Sequence, residues 1–224
     1  MADAKLQVKI CGITTVEQGC AIAELGASAL GYICVTKSPR YVSPADIAPI
    51  TAAVSARYPA VRHFGVFANE AVDRIVAIAQ TAGLTVIQLH GDESPAFCKQ
   101  LRAALSEAGL SALQLVKALR IRTAADLKLA ERYEPCVDML LLDAYHPKQL
   151  GGTGKTLDWQ TLQRFSPRCP WYLAGGLNPD NIQRALSMLS PDGIDLSSGV
   201  ERAPGEKDLS RVRQLFAQLA GSPC

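Results

Sequence analysis

The stretch Tyr172-Leu173-Ala174-Gly175-Gly176-Leu177-Asn178-Pro179 decides the fold, because an apolar run breaks there into paired glycines and then a helix-starting Asn-Pro. A similar break follows at once in Ile194-Asp195-Leu196-Ser197-Ser198-Gly199-Val200-Glu201. Each reads as a buried strand whose end lacks bulky side chains, so backbone N–H groups near a helix N-terminus can close on an oxyanion. Two such cradles side by side suit one phosphate, with Gly175, Gly176, Ser197, Ser198 and Gly199 around it. In a (β/α)₈ barrel the loops after strands seven and eight commonly hold a phosphate, so the position of this pair proposes the fold.

Working outward, β-rich apolar runs recur at roughly even spacing, beginning near Val8, Ala29, Arg62, Thr85, Ala112, Val137, Trp171 and Gly193. Helical periodicity lies between them, as in Val16 to Leu25, Ala71 to Thr81, Pro95 to Ser106 and Asn178 to Leu189. This alternation is what parallel α/β folds require. Eight strand–helix units close a barrel, and 224 residues are enough for one such domain, residues 1–224. A doubly wound open sheet is the alternative, but the early Gly-x-Gly-x-x-Gly fingerprint is missing. Tyr145 to Thr156 reads as a long loop after strand six. Within it, Gly151-Gly152-Thr153-Gly154-Lys155-Thr156 resembles a nucleotide P-loop, yet Gln149 stands where that pattern needs its first glycine.

Composition narrows the function further. Lys and Arg number 23 against 21 Asp and Glu, and the net charge of +2 offers no basic field for a nucleic acid. Aromatic residues, at 6 %, supply no stacking platform. No leader-like apolar core follows Met1 and no apolar run is long enough to span a bilayer, so a soluble cytoplasmic protein is expected. Seven cysteines without Cys-x-x-Cys spacing favour neither a disulfide framework nor a zinc site, and no metal is expected.

In a barrel, chemistry belongs at the C-terminal strand ends, where alternate side chains point to the interior. In Val8-Lys9-Ile10-Cys11-Gly12, Lys9 and Cys11 share one face while Val8 and Ile10 suit the helix layer. Met139-Leu140-Leu141-Leu142-Asp143 ends an apolar strand in a carboxylate, costly there without a purpose. Strand four ends Gln88-Leu89-His90-Gly91, with two polar groups on a common face, and strand eight brings Asp195. On these residues alone Cys11 is either a base or a packed small hydrophobe, and Asp143 either an acid or a turn cap. Gln88 and His90 read as supporting hydrogen-bond residues. Lys9 and Asp195 read as an interior ion pair, since the first and last strands of a closed barrel are neighbours.

Together the Lys-Ile-Cys-Gly-Ile start, Lys37-Ser38-Pro39-Arg40-Tyr41, Gly65-Val66-Phe67, Gln88-Leu89-His90-Gly91, Leu142-Asp143, Gly151 to Lys155 and the two glycine cradles closely resemble the phosphoribosylanthranilate isomerase family of tryptophan biosynthesis. The resemblance runs from Val8 to Asp208. It implies a cofactor-independent Amadori rearrangement of N-(5-phosphoribosyl)anthranilate, with Cys11 as general base and Asp143 as general acid. It implies further that Arg40 holds the substrate carboxylate, that Gln88, His90 and Asp195 line the site, and that the protein is a monomer or homodimer. Two rival readings are a histidine-pathway aminoaldose–ketose isomerase and a non-catalytic phosphosugar-binding barrel. The first needs a second phosphate cradle early in the chain, and the second has no use for Cys11 with Asp143.

Overall fold

The computed structural model describes residues 6–121, 124–143 and 159–221. The expected loop Tyr145 to Thr156, with the Gly151 to Lys155 motif, lies outside them. Among the described residues eight parallel strands pair in chain order, and the last returns to the first to close a barrel. They are β1 (Gln7–Cys11), β2 (Ala29–Ile33), β3 (Arg62–Phe67), β4 (Val86–Leu89), β5 (Gln114–Arg120), β6 (Met139–Asp143), β7 (Trp171–Ala174) and β8 (Gly193–Leu196). Each begins within two residues of the apolar run that predicts it. Around them lie α1 (Val16–Glu24), α2 (Pro44–Arg57), α3 (Val72–Ala82), α4 (Pro95–Glu107), α5 (Ala124–Leu127), α6 (Ala130–Tyr133), α7 (Trp159–Leu162), α8 (Ile182–Met188) and α9 (Leu209–Ala220). Among the described residues no helix is long and apolar enough to cross a membrane.

Local chemistry starts the helices. Thr15, Ser43, Ser94 and Asp208 each accept a backbone N–H of the first turn, and prolines at the first turns of α2 and α4 supply the preset φ. One expected boundary moves. Asn178 does not cap a helix directly: its Oδ1 accepts from the amides of Asp180 at 2.8 Å and Asn181 at 3.1 Å, a side-chain turn that delays α8 to Ile182. After β8 a 3₁₀ turn (Ser198–Val200) and a hairpin of β9 (Glu201–Ala203) with β10 (Glu206–Lys207) intervene before α9, which periodicity did not signal.

Strand alternation sorts the core into two layers. Val8, Ile10, Ile87, Leu89, Leu140, Leu142, Ile194 and Leu196 pack outward under the helices. Ala29, Phe64, Val86, Val116, Ala118, Met139, Leu141, Tyr172 and Ala174 fill the barrel interior. The same parity carries Lys9, Cys11, Gln88, Asp143 and Asp195 inward at the upper ends of their strands.

Between Val116 and Ala118, Lys117 takes the outward parity, yet it is buried. Its ammonium donates to the carbonyls of Leu89 at 3.3 Å and Gly91 at 2.7 Å and to Glu93 Oε2 at 3.0 Å. Glu93, equally buried, also accepts the amides of Asn69 and Gly91. This knot fixes the turn that presents His90. Gly91 is required in it, because a Cβ there would stand 2.5 Å from Asn69 Oδ1 and 2.7 Å from its amide nitrogen. Lys117→Met leaves Glu93 as an unpaired buried carboxylate and is expected to cost about 3–5 kcal/mol in urea unfolding. A loss below about 1 kcal/mol, on the scale of a surface pair, would show that the two amides alone satisfy Glu93.

Candidate active site

The functional side chains gather in two groups on opposite sides of the barrel mouth. The first is built by β8, β1 and the loop after β2. Lys9 and Asp195 are register partners across β1 and β8, and their Nζ···Oδ2 distance is 2.7 Å, with Lys9 fully buried. This is the interior pair the strand order predicts. Burial works against the Lys9 charge, but Asp195, assisted by Cys11, outweighs it and holds the ammonium above its ordinary pKa.

Cys11 ends β1 directly opposite Gly31 of β2. A Cβ at Gly31 would meet the Cys11 sulfur at 2.6 Å and Lys9 Cε at 3.1 Å, so the thiol occupies the room that this glycine leaves. Burial raises the Cys11 pKa above that of an ordinary thiol; Lys9 and Lys207 pull it down without overcoming burial. Burial therefore favours the thiol form of Cys11 over the thiolate.

Gly12 sits where Arg40, Lys207 and Ser197 converge: a Cβ there would come within 2.9 Å of Arg40 Cδ, 3.3 Å of Lys207 Nζ and 3.4 Å of Ser197 Oγ. Arg40 lies in the expected loop, and Glu201 grips it in a fork, Nε at 2.9 Å from Oε1 and Nη2 at 2.5 Å from Oε2. Lys207 Nζ lies 2.6 Å from the same carboxylate's Oε1. Burial favours the neutral form of Glu201, but the hydrogen bonds of Arg40 and Lys207 prevail and lower its pKa; burial lowers that of Lys207. Neither Glu201 nor Lys207 was singled out from sequence. The missed signal is the hairpin after β8, whose Gly205 carbonyl accepts from Thr14 and Gln18 and so folds it over the mouth beside β1.

The second group spans β4 to β6. Gln88 Nε2 lies 3.1 Å from His90 Nδ1, and His90 Nε2 lies 3.2 Å from Asp143 Oδ2. Asp143 stands beside Arg120 of β5 and Ala174 of β7 in register, and Arg120 Nη2 reaches the His90 carbonyl at 3.5 Å.

Between the groups, the loops after β7 and β8 touch. Gly175 and Gly176 adopt left-handed φ of 94° and 69°. Nothing lies within 4 Å of a Cβ at Gly176, whereas one at Gly199 would overlap the Leu177 carbonyl oxygen. Gly176 thus faces open space, and Gly199 is the point of closest approach of the two loops. Among the described residues the amides of Gly176, Ser198 and Gly199 have no backbone acceptor, and three bare N–H groups beside an opening suit an anion. Among the described residues no cluster of His, Cys, Asp and Glu could hold a metal ion.

A closed (β/α)₈ barrel that collects a thiol, a carboxylate and an imidazole at its upper strand ends belongs with the barrel enzymes that work by proton transfer. Residues 8–218 match the family model described as N-(5′-phosphoribosyl)anthranilate (PRA) isomerase, and the chain belongs to that family. It is 57 % identical over 215 residues to the N-(5′-phosphoribosyl)anthranilate isomerase of Synechococcus elongatus, covering 96 % of both chains. Its fold is similar to the crystal structure of phosphoribosyl anthranilate isomerase from Thermotoga maritima, with a TM-score of 0.84 and 34 % identity over 97 % of this chain and 100 % of that one. A further similar structure, with a TM-score of 0.80 and 32 % identity over the same shares, is phosphoribosyl anthranilate isomerase in complex with reduced 1-(o-carboxyphenylamino)-1-deoxyribulose 5-phosphate.

The glycine geometry predicts different penalties at the two loops. Gly176→Ala meets no atom and pays only for left-handed backbone, about 1–2 kcal/mol. Gly199→Ala must separate the loops and should cost more than that in denaturant unfolding. Equal losses would mean that the loops do not pack as closely as described.

Proposed function

We infer that this chain catalyses the isomerisation its family is named for, converting N-(5-phosphoribosyl)anthranilate to 1-(2-carboxyphenylamino)-1-deoxyribulose 5-phosphate by proton transfers alone. The observation that carries the reading is the placement of a thiol on β1 and a carboxylate on β6, both inward, on opposite sides of one mouth. Asp143 delivers its proton to the furanose ring oxygen as the bond from that oxygen to C1 breaks. The aniline nitrogen's lone pair forms the C=N bond, giving an iminium. That cation makes the C2 proton acidic, and Cys11 removes it as thiolate, the C–H electrons forming C1=C2 while the iminium π pair returns to nitrogen. The resulting enolamine loses its hydroxyl proton and gains one at C1, leaving the ketone. Atoms balance without an outside oxidant, because the substrate nitrogen serves as the electron sink.

The remaining residues receive roles from their positions. The amides of Gly176, Ser198 and Gly199, with Gly175 and Ser197 shaping the loops, hold the 5-phosphate. Arg40, turned by Glu201, presents its remaining N–H groups to the anthranilate carboxylate. Asp195 Oδ1 and Gln88 Oε1 are buried acceptors with no partner among the described residues, suited to substrate hydroxyls. The iminium formed on ring opening adds its charge to Lys9 and Lys207 at the moment when the thiolate is needed.

Cys11→Ala should lower kcat by about 10²- to 10⁴-fold while leaving substrate binding near wild type. Asp143→Asn, which keeps shape and hydrogen bonding but carries no transferable proton, should fall comparably. The assay follows the fluorescence lost as freshly generated phosphoribosylanthranilate is converted. Wild-type turnover in either variant removes that residue from the mechanism, and binding without turnover by the native protein would favour the phosphosugar-binding alternative.

Because burial holds Cys11 in its thiol form, kcat/KM should rise with pH along a limb above the ordinary thiol range of about 8–9. Lys207 favours the thiolate, so Lys207→Met should move that limb further up. A limb that stays in place in the variant, or lies below the ordinary range in the native enzyme, would contradict this electrostatic picture.

A further inference from the structure

The contact between His90 and Asp143 has a proton direction, and Gln88 sets it. A neutral imidazole has one donor nitrogen and one acceptor nitrogen, so whatever occupies Nδ1 fixes the role of Nε2. Here Nδ1 faces the amide nitrogen of Gln88, which only donates, at 3.1 Å. With the amide in this orientation Nδ1 accepts, the ring proton sits on Nε2, and His90 donates to Asp143 Oδ2 across 3.2 Å. Gln88 is almost fully buried, with its Oε1 lacking a partner among the described residues. A hydroxyl donated to Oε1 would satisfy that acceptor in this orientation.

We propose that Gln88 and His90 are a positioning relay that keeps the imidazole in its Nε2–H form, engages one oxygen of Asp143 and leaves Oδ1 to carry and deliver the catalytic proton. The proposal rests on the reading of Asp143 as general acid. The relay does not itself exchange a proton with substrate. It orients the carboxyl group and stabilises the carboxylate left after Asp143 has protonated the ring oxygen, as one ring hydrogen bond can do for a partner that changes charge. The charged groups around it are Arg120 of β5, at the His90 carbonyl, and the Glu93–Lys117 pair beneath the Gly91 turn. In register, β3 supplies Val66 beside Gln88 and β7 supplies Ala174 beside Asp143.

Two measurements test the relay. Nitrogen-15 NMR of ring-labelled native protein reads the His90 tautomer directly, assigned by its loss in His90→Gln. The Nε2–H form at neutral pH supports the proposal, and the Nδ1–H form or an imidazolium overturns it. The second measurement is the pH profile of Gln88→Glu, in which a group that only accepts forces a proton onto Nδ1. The ring then gains charge as imidazolium and draws Asp143 toward carboxylate, so the limb on which the acid loses its proton should move to lower pH. At neutral pH kcat should fall by about 10- to 100-fold with little change in KM. Gln88→Met, which removes the amide without supplying an acceptor for Nδ1, should show no such displacement, and its loss should fall on KM through the missing acceptor for a substrate hydroxyl. If both variants lose only thermal stability and keep the native kcat and pH profile, Gln88 is a structural residue and the relay is wrong. If Gln88→Glu does not fold, the native tautomer and the Gln88→Met profile still decide. Lack of isomerase turnover in the native protein would instead defeat the functional reading, with the tautomer measurable all the same.

Discussion

A lysine with no exposed surface, bonded to an aspartate across the seam that closes the barrel, is the constraint on which the rest of the site depends. Lys9 and Asp195 join β1 to β8, and the ammonium also lies 5.1 Å from the centre of the Phe64 ring. Burying two charges costs several kcal/mol apiece before their attraction offsets it, so such a pair is poor evidence for stability by itself. Its consequence is electrostatic. It places a permanent cation in the interior next to Cys11, where that charge opposes the burial that would otherwise keep the thiol inert. Gly31 completes the arrangement by leaving space for the sulfur and the lysine stem at one level of the barrel.

The mouth is organised by a division between its two sides. Around β8, β1 and β2 the chain concentrates cations, Lys9, Arg40 and Lys207, and balances them with Asp195 and Glu201. Around β4 to β6 it places groups that can pass or orient a proton, Gln88, His90 and Asp143. On the proposed reading, a substrate whose two ends are a phosphate and a benzoate would meet anion-binding groups at the glycine loops and at Arg40, with its central carbons between the thiol and the carboxyl group. The Glu201 fork has a steric logic as well. It turns a long, mobile guanidinium into a fixed one, so that an anion bound there would cost less side-chain entropy.

The barrel was legible because its signals are local: strand-length apolar runs, helical periodicity between them, and glycines at the ends of the last two strands. Strand parity then turned Lys9, Cys11, Gln88, Asp143 and Asp195 inward, and closure of the barrel made Lys9 and Asp195 neighbours. What sequence did not reveal were pairings between segments far apart in the chain. Arg40 meets Glu201 across 161 residues, Lys117 meets Glu93 beneath a turn, and Lys207 enters the site on a hairpin too short to show a period. Gly199 also carries a packing constraint that the sequence did not show. Its lack of a side chain is what lets the loop after β8 close on the Leu177 carbonyl.

The most direct test of this account is a crystal structure of the protein with reduced 1-(o-carboxyphenylamino)-1-deoxyribulose 5-phosphate. The account predicts the phosphate on the amides of Gly176, Ser198 and Gly199, the benzoate on Arg40, and the Cys11 sulfur and Asp143 Oδ1 on opposite sides of the sugar-derived chain. A ligand bound in the reverse sense, with its phosphate at Arg40 and Lys207 and its ring between the glycine loops, would contradict it.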